Sequence, residues 1–320
     1  MNRQDKKYIG IEIGGTKLQV VAGDAHAHIL AKYRLGVDRP EGAAGIRNKI
    51  AGPLKTLVQD FQPEAIGIGF GGPVDHEKGR IAVSHHIEGW TDFDLVSWAS
   101  EITGIPSFIE NDANVAALGE AYRGNGVGFD KVFYVTLGSG VGGGMIVNGE
   151  IYHGAVPGES EIGLMAYNQA GNNVESMCSG WAMDARIRQY IAGNPGSVIA
   201  GLVKKGNGPE AGFLAEAIRL GDRGAEKLLD ESTGILGWGL SHVVHLFHPQ
   251  IIILGGGLSL MGDLLVEKVT ASMRKFITRV FQPGPAIKTA ALREDVVGVG
   301  AILLAMKKKE KAFNQDLKRK

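Results

Sequence analysis

Two stretches of this chain, YIGIEIGGTKLQVVAG from Tyr8 and KVFYVTLGSGVGGGMIVNG from Lys131, repeat one pattern. Each is an apolar run rich in β-branched residues, a glycine corner and a second apolar run. That is the signature of strand, tight turn, strand. Gly14 and Gly138 hold the same place in the two units, so the chain reads as an internal duplication led by two glycine-cornered hairpins. Glycine accounts for 48 of 320 residues, roughly double the ordinary ~7%. The glycines have no period of three and gather between apolar runs. Clusters of that kind mark positions of positive φ or of close approach to the main chain.

The remaining pattern is α/β. HILAKYRL extends the first hairpin. Residues 42–59 carry Ile46, Ile50, Leu54 and Leu57 at helical spacing, with Pro53 expected to kink the helix. AIGIGF and IPSFIE read as strands and LVSWASEIT as a helix. ANVAALGEAY is a further helix, with Asp112 or a neighbour at its start. QIIILGGG is a buried strand ending in glycines, followed by a helix near 261–278, and a last helix runs near 297–306. No Ser/Pro linker separates the halves. The predicted division is a smaller domain over 1–113, a larger one over 114–296, and a segment 297–320 whose helix returns to the first and whose tail is basic.

Composition narrows the function. Lys+Arg and Asp+Glu both count 34, so no basic surplus supports a broad nucleic-acid footprint. The single cysteine, Cys178, excludes an intrachain disulfide framework. The start lacks a signal peptide's apolar core, and no run of about 18 apolar residues exists to span a bilayer. A cytoplasmic globular protein is expected, with no membrane partner.

Gly138, Gly140 and Gly143 match G-x-G-x-x-G, but a dinucleotide fingerprint must open a helix. Here the run continues as GMIVNG, a second strand closing on an Asn-Gly turn. Gly67, Gly69 and Gly72 match as well and run into the turn PVDHEKG. Consecutive amides in a glycine turn instead form an anion nest. GGTK adds the Thr16 hydroxyl and the Lys17 cation, both suited to phosphate oxygens. A plain hairpin remains the alternative at each. Gly255, Gly256 and Gly257 end a buried strand, where ligands of α/β sheets collect; a strand-to-helix turn is the alternative there.

IGIEIGGTKLQVV, GIGFGGPVD, IENDANVAALGE, VTLGSGVGGGMIVNGEIYHGA, GESEIGL and IIILGGGLS occur in this order. Together they resemble the ROK family of sugar kinases and repressors, within the actin-like ATPase superfamily, over residues 8–305. The resemblance implies a two-domain actin-like ATPase fold, duplicated and ribonuclease H-like, with an interdomain cleft. It implies ATP and Mg²⁺ as cofactors and a small sugar as substrate. By the same analogy Gly14, Gly15, Thr16 and Lys17 form a first phosphate loop, and Gly138, Ser139 and Gly140 belong to a second running to Gly142. Gly255, Gly256 and Gly257 lie against adenosine.

Phosphoryl transfer to a sugar hydroxyl needs positioning, charge neutralisation and a proton acceptor. The resemblance makes Asp112 that general base and sets Asn111 on sugar hydroxyls; a helix N-cap is the structural alternative for Asp112. Glu161 and Glu175 carry over as sugar-binding acids, Gly72 lies with the substrate, and His86 belongs to a loop near it. Glu12, an acid inside an apolar strand, needs a partner. Mg²⁺ through water is expected, and a pairing with Lys17 is the alternative. His242, His245 and His248 follow helical spacing and read as helix residues rather than a metal site.

The chain also departs from the family pattern. Leu164 stands where the family has a histidine that touches sugar and a structural zinc, Asn173 replaces one cysteine, and Cys178 is off register. A four-ligand zinc site is not available there, so no structural zinc is expected and the purified protein should carry none. Losing that histidine loosens the expectation of glucose as acceptor and opens other hexoses, amino sugars or cyclitols. A sensor with altered acceptor specificity or degraded catalysis is the alternative to a kinase. A DNA-binding repressor would need a helix-turn-helix ahead of the first phosphate loop. A homodimer or higher homo-oligomer is expected by family analogy.

Overall fold

The computed structural model describes residues 6–82, 87–158 and 160–319. In chain order the strands are β1 (Lys7–Ile13), β2 (Lys17–Asp24), β3 (Ile29–Gly36), β4 (Ile66–Phe70), β5 (Val74–Asp75), β6 (Arg80–Ile81) and β7 (Phe93–Asp94). They continue as β8 (Ser107–Asn111), β9 (Lys131–Leu137), β10 (Val141–Val147), β11 (Glu150–Ile151), β12 (Ile251–Gly255) and β13 (Ala286–Thr289). The helices are α1 (Gly42–Phe61), α2 (Leu95–Thr103), α3 (Asp112–Arg123), α4 (Glu175–Cys178) and α5 (Gly180–Gly193). Then come α6 (Val198–Lys205), α7 (Leu214–Arg219), α8 (Arg223–Phe247), α9 (Asp263–Phe276) and α10 (Val296–Arg319).

The duplication read from the glycine hairpins is present as topology. One sheet has the order β3-β2-β1-β4-β8 and the other β11-β10-β9-β12-β13. In the first, β1 pairs antiparallel with β2 and parallel with β4. In the second, β9 pairs parallel with β12, and β12 parallel with β13. A small third sheet holds β5, β6 and β7. Strands β1 and β4 are buried on both faces because both faces are covered. On one side Ile46, Ile50, Leu54 and Leu57 of α1 join Ile9, Ile11 and Ile68 in a single buried cluster. On the other side α10 approaches so closely that a methyl at Gly10 would meet the Gly298 carbonyl at 2.5 Å. At Gly67 a methyl would run into the Ala301 carbonyl. These two glycines of the opening motifs therefore serve helix-on-sheet packing.

The chain divides into two compact units: Met1–Gly128 with Gly144–Glu159 and Ala291–Lys320, and Phe129–Gly143 with Ser160–Ala290. This division differs from a boundary at 113. Helix α3 stays with the first unit because α10 crosses it at small residues. A methyl on Gly119 would overlap the Val296 carbonyl, and one on Gly300 the Val115 carbonyl. Glu120 strengthens the contact by accepting the Leu292 amide at 2.8 Å. Among the described residues no helix is long and apolar enough to cross a membrane.

Candidate functional site

In the first unit the carboxyl ends of β1, β4 and β8 bring the opening motifs together. The turn after β1 is closed by the Gly14 amide, which donates to the Lys17 carbonyl at 3.0 Å. Gly71, just past β4, donates to the Ile13 carbonyl at 2.8 Å. A methyl on Gly71 would lie 3.2 Å from Asp112 Oδ2, 3.3 Å from the Ile13 carbonyl and 3.5 Å from Gly14 Cα. The Asp112 carboxylate thus stands beside the first glycine turn.

Helix α3 is capped by Asn111, not Asp112. Asn111 Oδ1 accepts from the amides of Ala113 at 2.9 Å and Asn114 at 3.3 Å. Its amide nitrogen donates to the Gly72 carbonyl at 3.2 Å. The cap removes orphan donors from the helix start and leaves Asp112 as the first helical residue. Capping is therefore no longer an explanation for Asp112. Asn111, in turn, uses its oxygen on the helix start and one amide hydrogen on the distant Gly72 carbonyl, which fixes it beside Gly72.

Glu12 has taken a protein partner. It is buried, with Oε2 3.0 Å from Lys17 Nζ and 2.8 Å from Gln19 Nε2. Lys17 and Gln19 each donate also to the Glu294 carbonyl, at 2.9 and 2.8 Å. Burial pushes the Glu12 carboxyl above its ordinary value, against the pull of the Lys17 charge and of hydrogen bonds from Lys17 and Gln19. The pairing with Lys17 is the physical answer to an acid in an apolar strand. Thr16, in the turn itself, is exposed.

In the second unit the glycine corner at 138–140 is held from below. Gly138 donates to the Gly140 carbonyl at 3.0 Å and accepts from the Gly180 amide at 2.7 Å. Glu175, at the start of α4, accepts the Val141 amide at 2.8 Å. Its carboxylate fills the space beside Gly140, where a methyl would lie 2.5 Å from Oε2. Glu161 precedes a turn of 3₁₀ helix over Ile162–Leu164. Of the three glycines at the end of β12 and just past it, two have packing reasons. A methyl on Gly255 would strike the Tyr134 phenol, and one on Gly256, at φ 79°, the Leu137 backbone at 2.5 Å. Gly257 has open space beside it.

The segment that matches the family's zinc region is filled by other contacts. Leu164 is 62% exposed. Asn173 Oδ1 accepts the Ser176 amide at 2.9 Å. Cys178 is buried, its thiol donating to the Ser232 carbonyl at 3.2 Å. Burial pushes that thiol up to about 12, so it is a poor metal ligand. His245 Nε2 accepts the Thr278 amide at 3.1 Å, and the ring of His248 packs on Phe281, as helix-end residues do. His86 lies outside the described residues.

One cluster had no sequence expectation. Glu110, at the end of β8, is 1% exposed and lies 2.7 Å from His153 Nε2, while His76 stacks on His153 with ring centroids 3.9 Å apart. Burial alone would raise the Glu110 carboxyl. The His153 hydrogen bond and charge, the Asn111 amide and His76 outweigh it and hold the group below its ordinary range. Glu110 was legible only as a letter of IENDANV, and two solitary histidines give no spacing signal.

With this geometry in place, comparison with known proteins decides the family. The sequence profile of the ROK family matches residues 8–308. The chain belongs to the ROK family. It is 28% identical to the glucokinase of Halalkalibacterium halodurans over 92% of this chain and 94% of that protein. It is 28% identical to the glucokinase of Thermotoga maritima over 92% and 96%. Among solved structures, a ROK glucokinase from Streptomyces griseus, crystallised with glucose and AMPPNP, superposes with a TM-score of 0.84. That match has 30% identity and covers 94% of this chain and 99% of the relative. The fold is the actin-like ATPase fold of ROK sugar kinases.

Proposed function

We propose that this protein is an ATP-dependent sugar kinase that phosphorylates a hydroxyl of a hexose-like acceptor. The observation that carries the reading is the meeting of Asp112 Oδ2, Gly71 and the Gly14 turn at the carboxyl ends of β1, β4 and β8 in a ROK-family chain. Asp112 is assigned as general base. It accepts the proton of the acceptor hydroxyl as the oxygen attacks the terminal phosphorus of ATP, and ADP leaves. Asn111, fixed between the helix cap and Gly72, holds that hydroxyl's neighbours. Glu161 and Glu175 are assigned to further sugar hydroxyls.

The amides of Gly15 and Thr16, and those of Ser139 and Gly140, are assigned to the phosphates of the nucleotide, while the Gly14 and Gly138 amides close the two turns. Gly257, with room beside it, is assigned to the nucleoside. Mg²⁺ neutralises phosphate charge when it accompanies ATP. Glu12, committed to Lys17 and Gln19, fits such an ion only through water. The exposed Leu164 offers the acceptor no hydrogen bond, so the site selects its sugar by the remaining polar groups.

The test is ADP release from Mg-ATP across a panel of hexoses, amino sugars and cyclitols, with the phosphorylated product identified. Sugar-dependent ADP release with one phosphorylated product is expected. Sugar binding without ADP release for any member of the panel would leave the sensor reading standing and this one refuted.

A further inference from the structure

The cluster at Glu110 lies wholly within the first unit, and the proposed function gives it no part in the chemistry. Glu110 Oε1 is held by the Asn111 amide at 2.9 Å and by Asn114 Nδ2 at 3.2 Å. Glu110 Oε2 faces His153 Nε2 at 2.7 Å. His76, in the turn after β5, lies against the His153 ring with an interplanar angle of 16°. One ligand atom from each of the three lies within 4.8 Å of the other two. His76 and His153 border a cavity of about 770 Å³, also lined by Glu150, Lys307 and Lys311.

Two imidazoles and one carboxylate are the three-protein-ligand set of an open zinc site. Nitrogen donors select borderline divalent ions over Mg²⁺ or Ca²⁺, which take oxygen. A divalent ion held by these three groups would place its charge directly on the buried carboxylate. The Asn111 and Asn114 contacts are the kind of outer support that orients a ligating carboxylate. The cavity gives the entry path and the open coordination position that a usable site needs. Because the histidine rings lie nearly parallel, one must turn to aim its lone pair at the ion, and His76, bordering the cavity, is placed to do so.

We propose that His76, Glu110 and His153 form a binding site for a borderline divalent metal ion of the Zn²⁺ class, with a remaining coordination position open to the cavity. The site is separate from segment 161–178 and reverses, for the whole chain, the expectation of a zinc-free protein drawn from that segment. Since one carboxylate faces the ion and also accepts the Asn111 amide, the bound ion stiffens the end of β8 that carries Asn111 and Asp112.

The experiment is titration of the metal-stripped full chain with Zn²⁺ by calorimetry and with Co²⁺ by visible absorption, without nucleotide or sugar. One ion per chain is expected, with nitrogen-ligated Co²⁺ absorption and a raised thermal midpoint. His76→Ala and His153→Ala should each weaken binding at least ~10-fold, the loss typical of removing even an outer-sphere partner. His242→Ala and Cys178→Ser should bind as the parent does. Glu110→Gln, which keeps the shape of the strand end, should match the histidine variants. No uptake by the parent at equimolar Zn²⁺, unchanged affinity in the histidine variants, or loss of binding in His242→Ala or Cys178→Ser would each overturn the site. None of these results depends on kinase activity.

Discussion

The hairpins β1–β2 and β9–β10 are copies of one motif, and their corners are stabilised by opposite means. At the first, the charge lies behind the turn. Lys17 folds back onto Glu12, and both it and Gln19 reach the Glu294 carbonyl, while the Gly14 amide closes the turn and Thr16 stays exposed. At the second, a protein carboxylate is drawn into the turn itself, Glu175 on the Val141 amide. Loops of equal length between paired strands leave the side chains to decide what each turn presents.

The largest effect that would break this comparison is expected at the support of the second turn. Gly256→Ala sets a side chain at φ 79° against the Leu137 backbone. A cost of about 3 kcal/mol is expected from backbone strain and overlap together, read from the denaturant midpoint. Gly257→Ala, with open space, should fall within about 0.5 kcal/mol of the parent. Equal losses would mean that the third glycine cluster does not buttress Leu137.

Next is Lys17→Met, which strands Glu12 without its cation. A loss of about 2 kcal/mol is expected, below the full cost of breaking a buried pair because Lys17 is partly exposed. The double variant with Glu12→Gln should recover most of it in a double-mutant cycle. The same carboxyl gives a pH signature. Its folded value is raised, so its stabilising share is complete below the ordinary carboxylate value. That share is lost as pH rises through the raised one. Glu12→Gln should abolish that part of the slope, and an unchanged slope would assign it elsewhere.

A smaller effect is expected at the second turn's carboxylate. Glu175→Gln weakens a charge-assisted hydrogen bond, costing about 1–2 kcal/mol of local stability, seen as faster amide exchange at Val141. The smallest concerns Cys178. With the thiol buried and pushed up to about 12, thiol reagents should leave the native protein unmodified at neutral pH and label it after unfolding. Rapid native labelling would show that α4, which carries both Cys178 and Glu175, opens.

Much of this was legible beforehand, because β alternation and glycine corners are local signals. Both hairpins, the strand at Ile66 and the duplication follow from them. Partners distant in sequence were not. The Glu175 carboxylate reaches Val141 through packing at α4, and Glu110 meets two histidines that no spacing connects. Asp112 and Asn111 were both assigned, but which one caps α3 depends on a one-residue shift that residue preference does not resolve. The glycine clusters were read as positions of positive φ or of close approach to the main chain, but at Gly10 and Gly67 what approaches is α10, which cannot be seen from the strands that carry them.

The most direct measurement is steady-state turnover of Asp112→Asn with Mg-ATP and the best acceptor from the panel, alongside sugar affinity and thermal midpoint. A fall in kcat of at least ~10²-fold is expected, with folding intact and sugar binding near that of the parent. Turnover close to the parent's would contradict the assignment of Asp112 as the base and, with it, the mechanism built on the end of β8.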